Sequence, residues 1–243
     1  MTKYLKTNYN RIIAYNKYEG KNLGIVFLSG LRSDMNGHKA LELEDWAKKN
    51  DHSYLRFDYS GHGLSSGNFK EFLLSDWIKD SETIINELTD GPQVVIGSSM
   101  GGWIMLNLLK TKKIEAHSII GLATAADFTK KLIWDHLSFK EKKELIRNKK
   151  FYLNEDLSIS YEFIKDGQKH LILNKPLFFK GNVYLYHGQK DLEVPYTISE
   201  DVFNNIIGSN NIKLILEKHG EHRLSKKNEI LTIKNMLSEI LQY

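Results

Sequence analysis

Ser99 stands at the centre of a glycine frame, with Gly97 two residues before it and Gly101 two residues after it. The apolar run QVVI leads into this turn, and a helical pattern, MLNLLK, follows it. A G-x-S-x-G spacing between a buried strand and a helix is typical of a nucleophile elbow, which exposes the serine hydroxyl at a helix N-terminus. Free N–H groups and the helix dipole favour developing negative charge there. We therefore predict that Ser99 is a nucleophile; the alternative is an ordinary glycine-rich turn.

A serine hydroxyl needs a base to take its proton and an acid to orient that base. His222 lies in KHGEHRLSK, after the last predicted strand, and His219 is the alternative base. Asp191 lies in YHGQKDLEVP, after the preceding strand, and Glu193 is the alternative acid. The chain order Ser99, Asp191, His222 is the serine–acid–histidine order of one architecture that carries this elbow. We predict that these three form a catalytic triad; otherwise Asp191 and His222 only cap the helices that follow them.

An acyl-transfer site also needs N–H donors where the tetrahedral oxyanion forms. The backbone N–H of Met100, directly after the nucleophile, is one predicted donor. The second is expected from the loop after GIVFLSG, at the backbone N–H of Leu31. Both donors are peptide groups, so the two side chains are free to line a substrate pocket.

Short apolar runs alternate with helical patterns along the chain. The apolar runs predict strands at about 11–20, 23–30, 52–61, 93–97, 117–123, 183–188 and 212–218. The helical patterns predict helices at about 36–50, 71–89, 100–112, 195–207 and 226–241. This alternation predicts an α/β fold in which helices cover both faces of a mostly parallel sheet. We expect residues 1–243 to form a single domain.

The interval 126–177 is too long for a simple crossover and is amphipathic. We predict that it is a helical cap inserted at the carboxyl edge of the sheet, where ligands bind in open α/β folds. Most of its apolar side chains are expected to pack the cap onto the body. Some could instead face a bound acyl or aromatic group, and Trp134 is a candidate substrate contact.

Composition excludes several classes of function. The 243 residues contain no cysteine, so disulfides, thiolate catalysis and thiolate metal sites are absent. The sequence has no signal-peptide pattern and no apolar run long enough for a membrane span, which predicts a cytoplasmic protein. A net charge of +4, with lysines concentrated at 139–152, favours a solvated helix face over attraction to acidic partners. The sequence has no interleaved aromatic-basic pattern of the kind that indicates nucleic-acid binding. No residue spacing indicates a metal site or an organic cofactor. The sequence does not predict the oligomeric state.

The motifs FLSGLRSDMNGHKA, FDYSGHGLSSG, GSSMGGW, HGQKDLEVP and GEHRLS together resemble the α/β-hydrolase superfamily over nearly the whole chain. The sequences GLRSDMNGHKA and EHRLS are most similar to the branch of acyl-glucuronide esterases, palmitoyl-protein thioesterases and their bacterial relatives. The resemblance implies the α/β-hydrolase fold, the same triad and the same oxyanion donors. It departs in having Ser29-Gly30 where many members have His-Gly.

The resemblance also makes FDYSGHGLSSG a structural turn beside the site. Arg32 and Asp34, in the oxyanion loop, have two interpretations. They form an ion pair that holds the loop, or Arg32 binds a substrate carboxylate, because its planar guanidinium suits that group.

We predict hydrolysis of a carboxylic ester or thioester through an acyl-enzyme, without cofactor or metal. Four alternatives remain open. The same triad could cleave a carbon–carbon bond, and a lyase or transferase would need to exclude water from the acyl-enzyme. A peptidase is disfavoured because the cap restricts extended chains. The fourth is a small-molecule receptor in which the triad is vestigial, which would have no reason to keep all three residues.

Overall fold

The computed structural model describes residues 1–152 and 158–241. Its strands are β1 (Lys3–Lys6), β2 (Ile12–Tyr18), β3 (Asn22–Leu28), β4 (His52–Phe57), β5 (Gln93–Ser98), β6 (Ala116–Leu122), β7 (Lys150–Tyr152), β8 (Ser158–Ser160), β9 (Leu177–Phe178), β10 (Asn182–Gly188), β11 (Ile206–Ile207) and β12 (Ile212–Glu217). Its α-helices are α1 (His38–Lys49), α2 (Leu74–Leu88), α3 (Met100–Lys110), α4 (Phe139–Asn148), α5 (Tyr161–Gly167), α6 (Thr197–Asn205) and α7 (Lys227–Leu241). Short 3-10 helices lie at Phe69–Glu71, Trp134–His136 and Gln168–His170, and a short π-helix lies at Thr129–Ile133.

The central sheet has the strand order β1-β2-β4-β3-β5-β6-β10-β12. The six strands from β4 to β12 in this order are parallel. At one edge of the sheet, β2 pairs antiparallel with β4, and β1 pairs antiparallel with β2. The predicted mostly parallel sheet is therefore confirmed. Strands β1, β7, β8, β9 and β11 were not predicted, because runs of two to four residues carry too little periodicity to be recognised.

Alternate residues of the central strands enter two separate apolar layers. Val26 and Val95 pack on the face covered by α2 and α3, while Ile25 and Val94 pack on the face covered by α1 and α7. Strands buried on both faces read as continuous apolar runs, which explains the run in β3. The two layers fix the strands, and with them the loops that leave the carboxyl edge of the sheet. No helix within the described ranges is long and apolar enough to cross a bilayer.

The segment between β6 and β9 forms the predicted cap, with one difference. It contains α4 and α5, as expected, but also the antiparallel hairpin of β7 and β8. Asp127 closes its base: the buried carboxylate accepts the backbone N–H groups of Ile172 at 2.8 Å and Leu173 at 2.9 Å. One side chain thus joins the two ends of the insertion.

Two further contacts attach the cap to the helices beneath it. Asp166 of α5 accepts both the backbone N–H and the hydroxyl of Ser75, in the first turn of α2. The indole N–H of Trp103, in α3, donates to the backbone carbonyl of His170 at 2.9 Å. The cap is therefore hydrogen-bonded to both helices.

Replacing Asp127 by Ala is expected to lower the free energy of unfolding by about 2–3 kcal/mol, because two N–H groups beneath the cap lose their acceptor. Asp127→Asn keeps one acceptor and should lose less. Urea denaturation measures both. Asp45→Ala, at an exposed position of α1, is the control and should stay within about 0.5 kcal/mol of wild type. An equal, small change in Asp127→Ala would contradict the assigned role.

Candidate active site

Ser99 occupies the turn between β5 and α3, with φ 54° and ψ −119°. A non-glycine residue seldom adopts a positive φ, so the surrounding structure must hold it there. The Ser99 N–H donates to the carbonyl of Leu122 at 2.8 Å, and its carbonyl accepts from the N–H groups of Gly102 at 3.0 Å and Ala125 at 3.1 Å. Backbone hydrogen bonds at both the N–H and the carbonyl of Ser99 thus fix its strained conformation.

The glycines flanking Ser99 allow the close packing that this turn requires. A Cβ atom on Gly101 would lie 2.2 Å from the carbonyl oxygen of Leu28. A Cβ on Gly97 would lie 2.6 Å from the carbonyl oxygen of Gly101. Helix α3 therefore begins directly against the end of β3, and no larger residue fits at either position.

The structure brings together the three side chains that the sequence predicted as a triad. His222 Nε2 lies 3.0 Å from the Ser99 hydroxyl oxygen, and His222 Nδ1 lies 2.7 Å from Asp191 Oδ2. An ionised carboxylate only accepts, so Nδ1 carries the hydrogen and Nε2 is the acceptor that faces the serine hydroxyl. This tautomer is the one that can take a proton from Ser99.

The alternative residues lie in less suitable positions. Glu193 Oε2 is 3.9 Å from His222 Nε2, on the nitrogen that faces Ser99 rather than on Nδ1, and the Glu193 side chain is 70 % exposed. His219 is exposed, and the hydrogen bonds to Ser99 and Asp191 are made by His222. The geometry favours Asp191 and His222 over both alternatives.

Asp191 is buried among donors that keep it ionised. Burial alone would raise its pKa, but hydrogen bonds from His187 and His222 and from the backbone N–H of Val194 outweigh burial and lower the pKa. The second carboxylate oxygen, Oδ1, accepts the N–H groups of Glu193 at 2.9 Å and Val194 at 2.8 Å. These contacts also fix the orientation of the carboxylate toward His222.

His187 is a site residue that sequence reasoning missed. It is fully buried at the end of β10, with Nε2 3.1 Å from Asp191 Oδ2 and 2.9 Å from the carbonyl oxygen of Val194. Both neighbours are acceptors, so Nε2 carries a hydrogen, while Nδ1 lies 2.7 Å from the Ser199 hydroxyl. Its position four residues before Asp191, at a strand end, was the only available signal.

The two predicted oxyanion donors border Ser99. Met100 is the first residue of α3, and the first N–H groups of a helix have no acceptor within the helix. Leu31 follows Gly30, where a Cβ atom would lie 3.3 Å from Ser99 Cβ. The loop that carries Leu31 thus passes directly over the serine, as an oxyanion site requires.

The FDYSGHGLSSG segment holds that loop in place. The Tyr59 hydroxyl donates to the carbonyl of Ser29 at 3.0 Å, and the buried Asp58 carboxylate accepts the Met35 N–H at 2.6 Å. His62 makes the third such contact, with the backbone N–H of Arg32. This segment is structural in the present geometry, as the resemblance implied.

His62 contacts the loop at the residue after Leu31. Its Nε2 accepts the backbone N–H of Arg32 at 3.1 Å, and Arg32 has a φ of 56°. The rings of Tyr59, Phe69 and Trp77 surround the imidazole edge-on, with centroids 5.0–5.5 Å away. Burial lowers the pKa of His62 to about 4, although a hydrogen bond with the Ser60 carbonyl opposes the shift. The imidazole is therefore neutral and can accept near neutral pH.

Arg32 and Asp34 lie on the exposed side of the same loop. The guanidinium carbon of Arg32 is 5.9 Å from the ring centroid of Phe69. Asp34 accepts the N–H of Asn36 at 2.7 Å and so stabilises the next turn of the loop. Substrate binding by Arg32 stays a prediction.

Trp134 is half-buried in the cap. Its ring packs against Tyr161 with a centroid distance of 6.2 Å, and the Lys142 ammonium lies 5.2 Å from the Trp134 centroid. These contacts account for its place in the cap, and its role toward a substrate stays a prediction. Within residues 1–152 and 158–241, no group of three or more His, Asp or Glu side chains is arranged to hold a metal ion.

Comparison with known proteins identifies the family of this chain. The Hydrolase_4 family, described as "Serine aminopeptidase, S33", matches residues 23–165. The chain belongs to this family. This α/β-hydrolase is 37 % identical over 235 residues to human "Palmitoyl-protein thioesterase ABHD10, mitochondrial", covering 94 % of this chain and 76 % of the relative. The predicted hydrolase class and the predicted resemblance are confirmed.

Solved structures confirm the predicted fold. The α/β hydrolase domain-containing protein 10 from mouse superimposes on this α/β-hydrolase with a TM-score of 0.94 at 33 % identity, covering 100 % of this chain and 98 % of that one. A putative hydrolase from Agrobacterium vitis gives a TM-score of 0.92 at 28 % identity, covering 99 % and 98 %.

The contacts of the α/β-hydrolase predict which acid orients His222. Asp191→Asn removes the acceptor that fixes the Nδ1–H tautomer, so kcat should fall by about 10³–10⁴-fold. Glu193→Gln, on an exposed side chain, should change kcat by less than about threefold. Hydrolysis of p-nitrophenyl butyrate measures both, with circular dichroism as the test of folding. A similar loss in the two variants would contradict the assignment.

The buried His62 predicts a pH dependence of stability. Its pKa is about 4 in the folded chain and 6.5 ordinarily, so the unfolded chain binds the extra proton between these values. The free energy of unfolding should therefore fall by up to about 3 kcal/mol as pH drops from 6.5 to 4. In His62→Phe this part of the pH dependence should disappear, as measured by urea denaturation across that range. His38→Gln, at an exposed histidine, should keep the wild-type dependence; an unchanged dependence in His62→Phe would contradict the prediction.

Proposed function

We propose that this α/β-hydrolase cleaves carboxylic ester or thioester bonds through an acyl-enzyme on Ser99. The observation that carries the proposal is the continuous hydrogen-bonded series from Asp191 through His222 to Ser99, at 2.7 and 3.0 Å. Similarity to a palmitoyl-protein thioesterase adds support. A positioned base and a buried acid are what activate a serine hydroxyl near neutral pH.

The first half of the reaction acylates the serine. His222 Nε2 takes the hydroxyl proton as Ser99 Oγ attacks the carbonyl carbon, and the carbonyl electron pair moves to oxygen. The resulting oxyanion is bound by the N–H groups of Met100 and Leu31, and one such donor is worth about 10²–10³ in rate. When the intermediate collapses, the C–O or C–S bond breaks and His222 gives its proton to the leaving group.

The second half restores the enzyme. Water takes the place of the leaving group, His222 accepts one of its protons, and the hydroxide oxygen attacks the acyl carbon. The bond to Ser99 Oγ breaks, the serine regains its proton from His222, and the acid departs. Asp191, held ionised, stabilises the imidazolium in each half without taking the proton itself.

The alternatives differ in what they require. The family description names a serine aminopeptidase, but a peptide substrate must reach Ser99 past the cap between β6 and β9. A carbon–carbon hydrolase would use the same three side chains on a diketone. A receptor would have no use for the strained Ser99 turn. The cytoplasmic location stays a prediction, and the named thioesterase relatives are described as mitochondrial.

Incubation with a fluorophosphonate, followed by intact-mass measurement, tests the proposal. Wild type should gain one phosphonyl adduct and hydrolyse p-nitrophenyl and thioester substrates, because the activated hydroxyl attacks the probe. Ser99→Ala should gain none and lose turnover, whereas Ser98→Ala, at the neighbouring serine, should still be labelled. Folded wild type that is neither labelled nor active would favour the receptor. Turnover of a diketone but not of esters would favour the carbon–carbon hydrolase.

A further inference from the structure

A cavity of about 110 Å³ opens beside the oxyanion loop, between the body and the cap. We call it the aromatic cavity. Its lining residues are Leu31, Phe69, Lys70, Phe72, Trp77, Lys150, Ser158, Ser160 and Phe163. Most of the lining is apolar, and the walls formed by Trp77 and Phe163 are buried, with 1 % and 5 % exposure. Apolar walls with a few polar groups are typical of a small-molecule site.

The position of the aromatic cavity relative to Ser99 identifies which part of a substrate enters it. Leu31 carries a proposed oxyanion N–H and also lines the cavity, so the oxyanion loop borders both the reacting carbonyl and the cavity. The leaving group must lie near His222 Nε2, which protonates it. Neither the loop of Asp191 nor the loop of His222 contributes to the cavity wall. The cavity is therefore on the acyl side of the carbonyl.

The mouth of the aromatic cavity is cationic. Lys70, from the body, and Lys150, from the cap, are exposed residues that contribute to its lining. The Arg32 guanidinium lies over Phe69, one of the walls. Among the residues that the structure describes, no carboxylate lies within 4 Å of either lysine ammonium. An acyl group that reaches this mouth would meet positive charge after the aromatic walls.

We propose that the aromatic cavity binds an acyl group whose far end carries a carboxylate, as in the half-ester or half-thioester of a dicarboxylic acid. This inference rests on the proposed esterase or thioesterase function and names the substrate class of the same site. Aromatic walls bind the methylene chain, and the terminal carboxylate pairs with Lys70 and Lys150. Exposed ion pairs are individually weak, so the charge contributes selectivity rather than most of the affinity.

A matched pair of esters tests the proposal. Mono-p-nitrophenyl adipate and p-nitrophenyl hexanoate have acyl groups of the same length and differ at the far end. Wild type should prefer the adipate by about threefold to tenfold in kcat/KM, mainly through KM. In Lys70→Gln/Lys150→Gln the preference, which is the ratio of the two kcat/KM values, should fall to near one. Lys112→Gln, beyond the far end of α3, is the control and should keep the preference.

Charge reversal gives an independent readout. Lys70→Glu/Lys150→Glu should prefer a hexanoate ester that ends in a trimethylammonium group over the adipate. Absence of a preference in wild type, or its survival in both double variants, would overturn the proposal. An equal preference of wild type for 4-carboxyphenyl hexanoate over p-nitrophenyl hexanoate would also overturn the proposal, because that ester carries its carboxylate on the leaving group. If neither matched ester is hydrolysed and Ser99 is not labelled by the fluorophosphonate, the proposed function itself fails.

Discussion

The contact of Gly101 with the carbonyl of Leu28 is the constraint on which the rest of the site depends. It sets the first turn of α3 against the end of β3, so the chain must bend at Ser99 with a positive φ. The same contact places the loop that begins at Ser29 over the serine. One close approach of two backbones thus puts the nucleophile and the proposed oxyanion donors side by side, before any catalytic side chain is considered.

A site built from loops needs a support that does not move. The loop carrying Leu31 leaves the core at the end of β3. Its backbone is held at Ser29, Arg32 and Met35 by side chains of one neighbouring segment, which follows β4. Peptide groups that are hydrogen-bonded to buried side chains have little freedom to rotate, and oxyanion binding depends on such preorganisation.

Much of this arrangement was predictable from the sequence, because it follows from rules that act over short distances. Gly97 and Gly101 around Ser99, placed between an apolar run and a helical pattern, define the elbow. Asp191 and His222 follow strands whose carboxyl ends share one edge. What could not be predicted depends on contacts that form only in the folded chain. His187 gave no signal beyond its place at a strand end, since its partners come together only when β10 and the loop after it have folded.

The cap shows the same limit. Its presence was predictable from the length of the interval between two strands, but its attachment was not. The closing contact at Asp127 joins residues about 45 positions apart, and no local pattern marks a buried carboxylate that accepts two distant backbone N–H groups. The hairpin of β7 and β8 was missed because three-residue strands have no measurable period.

Two buried titratable groups show how the site controls charge with different surroundings. Asp191 receives hydrogen bonds from two histidines and from backbone N–H groups, which outweigh its burial and keep it negative. His62 has aromatic rings on its edges and one backbone donor on Nε2, so burial prevails and keeps it neutral. Asp191 and His62 each need their own charge state. A neutral Asp191 would leave the imidazolium of His222 without its counter-charge, and a protonated His62 would present an N–H to the N–H of Arg32 and push the oxyanion loop away. The carboxylate must stay charged for the base to work, and the imidazole must stay neutral for the loop to hold.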